Sequence, residues 1–271
     1  MAGIVGACGG KWTSVSHVSE YEEMNPDCRN TMEDAHIIAD GFGDVATQGL
    51  FAVFDGHGGR GVVDYLYKCF EKNFLAELLH EQDKRPVSEA FTSAYLITDI
   101  ETSKEGLTIS GSTAVTCLLR VEDGSKVLYT ANVGDSRAVL CRGDGTAERL
   151  TYDHKASDES EMKRIEDAGG FILRKRVLGI LSVSRSFGDH AMKKFVLARP
   201  YTSRVLVGEN DPFVIIACDG VWDVLSDQEA VEFIKKAVSD GANMDDLSKM
   251  LVQEALNRGS TDNVTALVVH F

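Results

Sequence analysis

Phe51-Ala52-Val53-Phe54-Asp55-Gly56-His57-Gly58-Gly59 is an apolar run that passes directly into an acid, a histidine and three glycines. Four consecutive apolar residues read as a strand buried on both faces. The glycines permit a tight turn and let a ligand come close to the backbone. An aspartate at the end of a buried strand is costly unless something positive meets it. The same grammar returns at Phe213-Val214-Ile215-Ile216-Ala217-Cys218-Asp219-Gly220-Val221-Trp222-Asp223, where a second apolar run ends in Asp-Gly. It is inverted at Asp262-Asn263, which precede the apolar run 264–270. If that last strand runs antiparallel to the other two, Asp55, Asp219 and Asp262 meet at one edge of the sheets. Three converging carboxylates repel each other unless a cation lies between them. Hard oxygen ligands favour Mg2+ or Mn2+ over zinc.

Around these runs the chain reads as short strands bounded by Gly, Asp and Asn, at 36–40, 49–54, 112–119, 127–132, 138–141, 213–217 and 264–270. Helical spacing appears at Val63, Leu66, Phe70, Phe74 and Leu78, and again at Phe91, Ala94, Tyr95 and Thr98. A third helix is expected over 158–168, stopped by Gly169-Gly170. Ser226-Asp227-Gln228-Glu229 has the form of a capping box opening a fourth, and 245–257 gives a fifth, ended by Gly259. The helices come in pairs, one in the first 105 or so residues and one near the end, around a β-rich middle. Strict strand–helix alternation is absent, so antiparallel sheets with helices layered outside are expected, an α+β architecture.

The bulk numbers narrow the function. With 271 residues, 44% apolar and 26% charged, the chain has the profile of an ordinary soluble domain able to bury a full core. No apolar run approaches the roughly 18 residues of a membrane span, and no membrane partner is expected. The first ten residues lack the leading Lys or Arg of a secretory signal, and Ala2 stands where myristoylation needs Gly. A net charge of −14 makes nucleic acid a poor partner. The six cysteines, Cys8, Cys28, Cys69, Cys117, Cys141 and Cys218, are widely spaced. They read as free thiols in a reducing compartment. None is followed at the right spacing by the Arg that a cysteine-dependent phosphatase requires. A monomer of the cytoplasm or nucleus is expected.

Further candidate groups flank the three aspartates. Arg29-Asn30-Thr31-Met32-Glu33-Asp34-Ala35-His36 places an arginine and two acids before a strand. A guanidinium binds phosphate bidentately, so Arg29 is a candidate for an anionic substrate. Asp135 lies in Asn132-Val133-Gly134-Asp135-Ser136-Arg137, which by itself reads as a hairpin turn. Each piece alone has a plain structural reading, with Asp-Gly as a turn, His57 as structural, Arg29 as a surface ion pair and Trp222 as core packing. Their joint occurrence carries the functional reading.

In these residues the chain resembles the protein phosphatase 2C family, the metal-dependent serine/threonine phosphatases. The resemblance runs in order from about Arg29 to Phe271. It takes in Met-Glu-Asp-Ala-His, Asp55-Gly56-His57-Gly58-Gly59, Gly111-Ser112-Thr113-Ala114, Gly134-Asp135-Ser136-Arg137, Asp153-His154-Lys155, Ser182-Val183-Ser184-Arg185-Ser186-Phe187-Gly188-Asp189, Asp219-Gly220-Val221-Trp222-Asp223 and Ser260-Thr261-Asp262-Asn263-Val264. It implies a four-layer α-β-β-α sandwich of two antiparallel sheets flanked by helix pairs. Residues 29–271 would form one phosphatase domain, with 1–28 an N-terminal extension carrying a first strand region. It implies two Mg2+ or Mn2+ ions, with Asp55 bridging them, the Gly56 carbonyl completing one site, and Asp219 and Asp262 holding the other. Glu33 would act around them through water, with Asp34 nearby, and Asp135 and Asp223 would serve a weaker third ion. Arg29 would bind the substrate phosphate and His57 would be the general acid.

The implied mechanism has two ions about 3.5–4 Å apart lowering the pKa of a bridging water, which attacks phosphorus in line without a covalent enzyme intermediate. Phosphorylated proteins would be the partners. Two features depart from the family pattern. Members often carry a further helical region after the catalytic core, where this chain ends at Phe271. The segment 189–212, a substrate-side flap in the family, is compact and carries Lys193, Lys194, Arg199 and Arg204, either as a basic substrate-holding patch or as a solvated loop. An inactive scaffold of the same fold and a small-molecule phosphohydrolase are the alternatives.

Overall fold

The structure, a computed structural model, describes residues 12–80 and 85–271. In chain order the first half contains β1 (His17–Glu23), β2 (Ala35–Asp40), β3 (Gly49–His57), α1 (Gly61–Leu78), α2 (Val87–Lys104), β4 (Gly111–Glu122), β5 (Ser125–Val133), β6 (Arg137–Cys141) and β7 (Ala147–Arg149). The second half contains α3 (Glu159–Asp167), β8 (Ile172–Leu173), β9 (Arg176–Val177), β10 (Phe187–Gly188), β11 (Tyr201–Leu206), β12 (Phe213–Ala217), α4 (Asp219–Trp222), α5 (Asp227–Ser239), α6 (Leu247–Asn257) and β13 (Val264–His270).

Two antiparallel sheets form the sandwich, and β8 and β9 make a separate two-stranded sheet. One sheet of the sandwich has the order β1-β13-β12-β6-β7 and the other β11-β5-β4-β3-β2, with β10 paired to β4. The continuous apolar runs are explained by burial on both sides. In β3, Phe51 and Val53 face the opposite sheet, whereas Leu50, Ala52 and Phe54 face α1 and α2. In β12, Val214 and Ile216 enter the space between the sheets, and Phe213, Ile215 and Ala217 face α5 and α6. The four layers are therefore helix pair, sheet, sheet, helix pair, the α+β sandwich the sequence leads one to expect.

The helix faces follow the sequence spacing. Val63, Leu66, Phe70 and Phe74 of α1 are buried against Phe91, Ala94 and Tyr95 of α2. Phe74 and Phe91 stack with centroids 4.1 Å apart, and Phe70 meets Tyr95 edge-on at 5.4 Å. Truncating one such buried aromatic costs about 3–5 kcal/mol. Asp158 caps α3 by accepting from the Ser160 and Glu161 amides. The capping box of Ser226 and Glu229 opens α5. Trp222 is buried and donates its indole N–H to the Ala217 carbonyl, the packing role expected of it.

Two local readings need correction. Asn132 to Arg137 is not a hairpin. β5 belongs to one sheet and β6 to the other, so the segment carries the chain across the sandwich. Gly134, at φ +85° and pressed against the Thr113 side chain, makes that crossing possible. The second concerns 189–212, which is not simply a loop. It contains β11, an edge strand registered on β5 from Tyr201↔Asn132 to Leu206↔Val127. Within the N-terminal extension, His17–Glu23 forms β1, an edge strand paired along its length with β13. Both edge strands are polar, as edge strands commonly are, and so lack the apolar signal that marks the inner ones. The first eleven residues, Cys8 among them, lie outside the described residues.

Candidate active site

The sandwich places the acidic ends of its strands together. β12 and β13 run antiparallel with Ala217 opposite Ala266, so Asp219 just after one and Asp262 just before the other lie at the same end. Asp55, near the end of β3, pairs with Thr113 of β4, and the Ser112 hydroxyl donates to the Asp55 carbonyl at 3.2 Å. The next position must be glycine, because a Cβ at Gly56 would run into the Glu33 carbonyl and Val63. Gly220 is pressed in the same way on the Asn263 carbonyl.

Asn263 ties a second element to this edge. Its side-chain amide donates to the carbonyls of Met24 (2.8 Å) and Thr31 (3.0 Å), and its oxygen accepts from the Glu33 amide at 2.9 Å. The loop holding Arg29, Glu33 and Asp34 is thereby fixed over the start of β13. Asp34 is buried and accepts from the Thr265 hydroxyl at 2.7 Å. Glu33 accepts from the Gly59 amide at 3.2 Å. Arg29 donates to Asp262 at 2.5 Å and to the Thr261 carbonyl at 3.2 Å while remaining half exposed.

The electrostatics are dominated by unneutralised acid. Burial pushes Asp55 well above the usual carboxylate range, and Asp219, Asp34, Asp135 and Asp262 push it further. Burial raises Asp219 to about 8, with Asp135, Asp223, Asp262 and Asp34 adding to it. Asp34 is raised to about 7, chiefly by burial, against the opposing pull of the Thr265 hydrogen bond. Among the described residues neither Asp55 nor Asp219 has an ion pair or a side-chain hydrogen bond. Asp135 and Asp223 share Lys155, at 3.5 and 3.2 Å, and burial still raises Asp135.

His57 faces a partner that sequence reading did not identify. Its Nε2 lies 2.8 Å from Asp189 Oδ2, which also accepts from the Ser186 hydroxyl at 2.5 Å. Asp189 is buried, and Gly111 leaves no side chain where the His57–Asp189 pair meets. Asp189 and Lys155 both sit inside motifs quoted above, but no spacing in a single sequence ties either to its partner. The basic patch expected over 189–212 is only partly available. Lys193 is bound to the buried Asp99 at 2.9 Å, and Arg204 is held by Glu122 and Tyr129.

The donor set fits hard divalent cations. It is all oxygen, and its two central carboxylates have no protein cation to neutralise them. Among the described residues the acids do not already form a group of three arranged to hold one ion. Three of them are instead turned to side-chain cations, Asp262 to Arg29 and the pair Asp135 and Asp223 to Lys155.

Comparison with known proteins shows what the chain resembles. The family model described as Protein phosphatase 2C matches residues 21–264. The chain is 43% identical over 269 residues to Protein phosphatase 2C homolog 1 of Saccharomyces cerevisiae, covering 93% of this chain and 92% of the relative. It is 42% identical over 253 residues to Protein phosphatase 2C homolog 1 of Schizosaccharomyces pombe, covering 92% and 71%. In fold it is similar to a serine-threonine phosphatase 2C from Toxoplasma gondii, with a TM-score of 0.80, 24% identity and 94% of each chain covered.

Proposed function

The chain belongs to the protein phosphatase 2C family, and from that premise we infer that its protein serine/threonine phosphatase activity is carried out at the carboxylate cleft. The family is metal-dependent. The observation that carries the placement is the pair Asp55 and Asp219, acids raised by burial and by neighbouring carboxylates, without a protein cation, beside an arginine and a histidine.

Asp55, the Gly56 carbonyl, Asp219 and Asp262 would hold two Mg2+ or Mn2+ ions, with Glu33 and Asp34 around them and Asp135 and Asp223 near a third. Divalent ions there would supply a nucleophile at neutral pH and neutralise charge on the phosphoryl group. The remaining work falls to the chain's own side chains. Arg29 presents a half-exposed guanidinium at the cleft mouth, able to exchange Asp262 for two phosphoryl oxygens. Asp189 holds Nε2–H of His57, which fixes the ring, so that the imidazolium form can deliver its Nδ1 proton to the departing serine or threonine oxygen and be left as the neutral Nε2–H tautomer. The phosphorylated segment of a protein is the substrate.

We propose that the protein acts as a monomer of the cytoplasm or nucleus, apart from nucleic acid and membranes. The net charge of −14 and the buried thiols of Cys117, Cys141 and Cys218 support that setting.

Hydrolysis of a phosphothreonine peptide in Mn2+, with and without chelator, tests the reading. Activity that chelation abolishes and Mn2+ restores is expected. Activity indifferent to chelation, or retained in full by Asp55→Asn, overturns it.

A further inference from the structure

The segment between α3 and β10 carries a feature the cleft does not use. β8 and β9 form a hairpin with register Ile172↔Val177 and Leu173↔Arg176, closed by the two residues Arg174 and Lys175. Both closing residues have positive φ, 52° and 61°, and Leu178 just beyond has 52°. Two-residue hairpin loops that need positive φ at both positions are normally built from Asn and Gly. Long charged side chains held there at a backbone cost suggest that the charges are used.

The exposed groups around the tip share a character. Arg174, Lys175 and Arg176 stand in a row in a chain of net charge −14. Arg176 reaches the Ile180 carbonyl at 2.7 Å, but Arg174 and Lys175 meet no carboxylate among the described residues. Beside them Phe171 (53%), Leu173 (55%) and Ile180 (62%) leave large apolar side chains in solvent. The base of the hairpin is fixed. Val177 is buried with Ala156, Ile165 and Val196, and its amide donates to Leu181 at 2.7 Å. Ser182 and Val183 then pair with Ala156 and Lys155, and Lys155 bonds the cleft acids Asp135 and Asp223. The base of the hairpin is thus joined to the rim of the cleft.

We propose that this hairpin is a docking element for protein substrates, taking an acidic segment with interspersed apolar side chains that lies outside the phosphorylated residue. The proposal rests on the phosphatase reading of the cleft. Three cations match acidic side chains, and Phe171, Leu173 and Ile180 match apolar ones. An anionic bilayer would also meet a basic, apolar tip, but the remaining acidic surface opposes approach to one, and the link to the cleft rim favours a substrate.

Arg174→Asn/Lys175→Gly removes two charges while giving the turn residues suited to it, so folding is preserved. Two phosphothreonine peptides sharing one phosphosite, one with an Asp/Glu/Leu tail and one with a Gly/Ser tail, are compared with p-nitrophenyl phosphate. The double variant is expected to lower kcat/KM for the acidic-tailed peptide about tenfold, through KM, and to leave the other two substrates within about twofold. Leu173→Ser is expected to do the same to a smaller extent. Anisotropy of the unphosphorylated acidic-tailed peptide reads docking without chemistry. Its affinity is expected to fall about tenfold in the double variant and to weaken in about 0.5 M NaCl.

Equal losses on both tails, or binding of the unphosphorylated peptide unchanged by the double variant, overturn the proposal. So does an effect confined to binding of phosphatidylserine vesicles. If the wild type hydrolyses no peptide yet binds the acidic tail through Arg174 and Lys175, the docking surface stands and the reading of the cleft falls.

Discussion

Asp219 in the cleft and Glu161 in the segment that flanks it are both carboxylates drawn out of water, and their surroundings treat them in opposite ways. Asp219 is held up to about 8, with no protein cation beside it. Glu161, only 3% exposed, is pulled down to about 2 despite its burial. Arg185 (2.6 Å), Arg164 (2.8 Å) and the Ser184 hydroxyl (2.8 Å) surround it. The backbone shows the reverse contrast. In the cleft, the turn after His57 takes positive φ at Gly58 and Gly59, where it costs little, and Asp189 at φ 49° is the exception. In the flanking segment, Arg174, Lys175 and Leu178 adopt positive φ without that freedom. The cleft leaves its buried acids unpaired on a backbone that turns mainly at glycine, and the flank satisfies its buried acid on a backbone that turns at long side chains. An acid left without a partner suggests a missing ligand, whereas an acid with three partners holds a fold together.

Asp55→Asn is the strongest attempt to break that contrast. It should lower kcat by on the order of a thousandfold or more. Because the removed charge was repelled by its neighbours, denaturation in chelator should show stability unchanged or higher. Equal losses of activity and stability would make Asp55 a structural acid like Glu161. Glu161→Gln should do the opposite. It leaves Arg164 and Arg185 beside a neutral group and should cost about 3 kcal/mol in chemical denaturation, with p-nitrophenyl phosphate turnover within a few-fold of wild type. A neutral effect on stability there would remove the contrast from the other side.

The two regions should also answer pH differently. The folded pKa values of Asp34 (about 7) and Asp219 (about 8) lie above their unfolded values, so the folded state holds more protons in this range. Their contribution is fully present below the unfolded pKa and is lost as pH rises through the folded one. His154 has the opposite sign. Burial first, then the nearby Arg185, lowers it to about 4, so its contribution is present above about 6.5 and is lost as pH falls toward 4. Between about pH 6.5 and 8 only the acids of this set titrate. Stability in chelator should therefore fall across that window, and millimolar Mg2+ should flatten the slope. A slope indifferent to Mg2+ would separate the raised acids from any cation site.

Much of this contrast is legible in the sequence, and the limits have physical causes. Phe51 to Phe54 and Phe213 to Ala217 read as inner strands because they are buried on both faces. Asp55, Asp219 and Asp262 converge because the sandwich sets those strand ends together. The edge strand Tyr201–Leu206 escapes, and His17–Glu23 is anticipated only as a strand region that the resemblance implies, because one side of each is left to solvent and polar residues suffice. The crossover at Gly134 imitates a hairpin because a turn between sheets and a turn within one use the same residues. Asp189 cannot be assigned to His57 from spacing, since the chain separates them by 132 positions and only the pairing of β10 with β4 brings them together.

The backbone half of the contrast has its own test, with the smallest expected effect. An L residue in the left-handed region costs roughly 1–2 kcal/mol, and Asn or Gly carries less of that cost. Glycine returns some of the gain through the freedom it adds to the unfolded chain, about 0.5–1 kcal/mol. Arg174→Asn/Lys175→Gly should therefore stabilise the protein by about 0.5–1 kcal/mol in chemical denaturation. Exchange of the Val177 amide, which donates to Leu181 at the base of the hairpin, should slow. The same substitution is expected to weaken docking of an acidic segment. A variant that gains stability and loses docking would show that the flank's strain serves the charges at its tip. A variant that loses stability would mean that Arg174 and Lys175 are held by favourable contacts, and that the flank is as relaxed in backbone as the cleft.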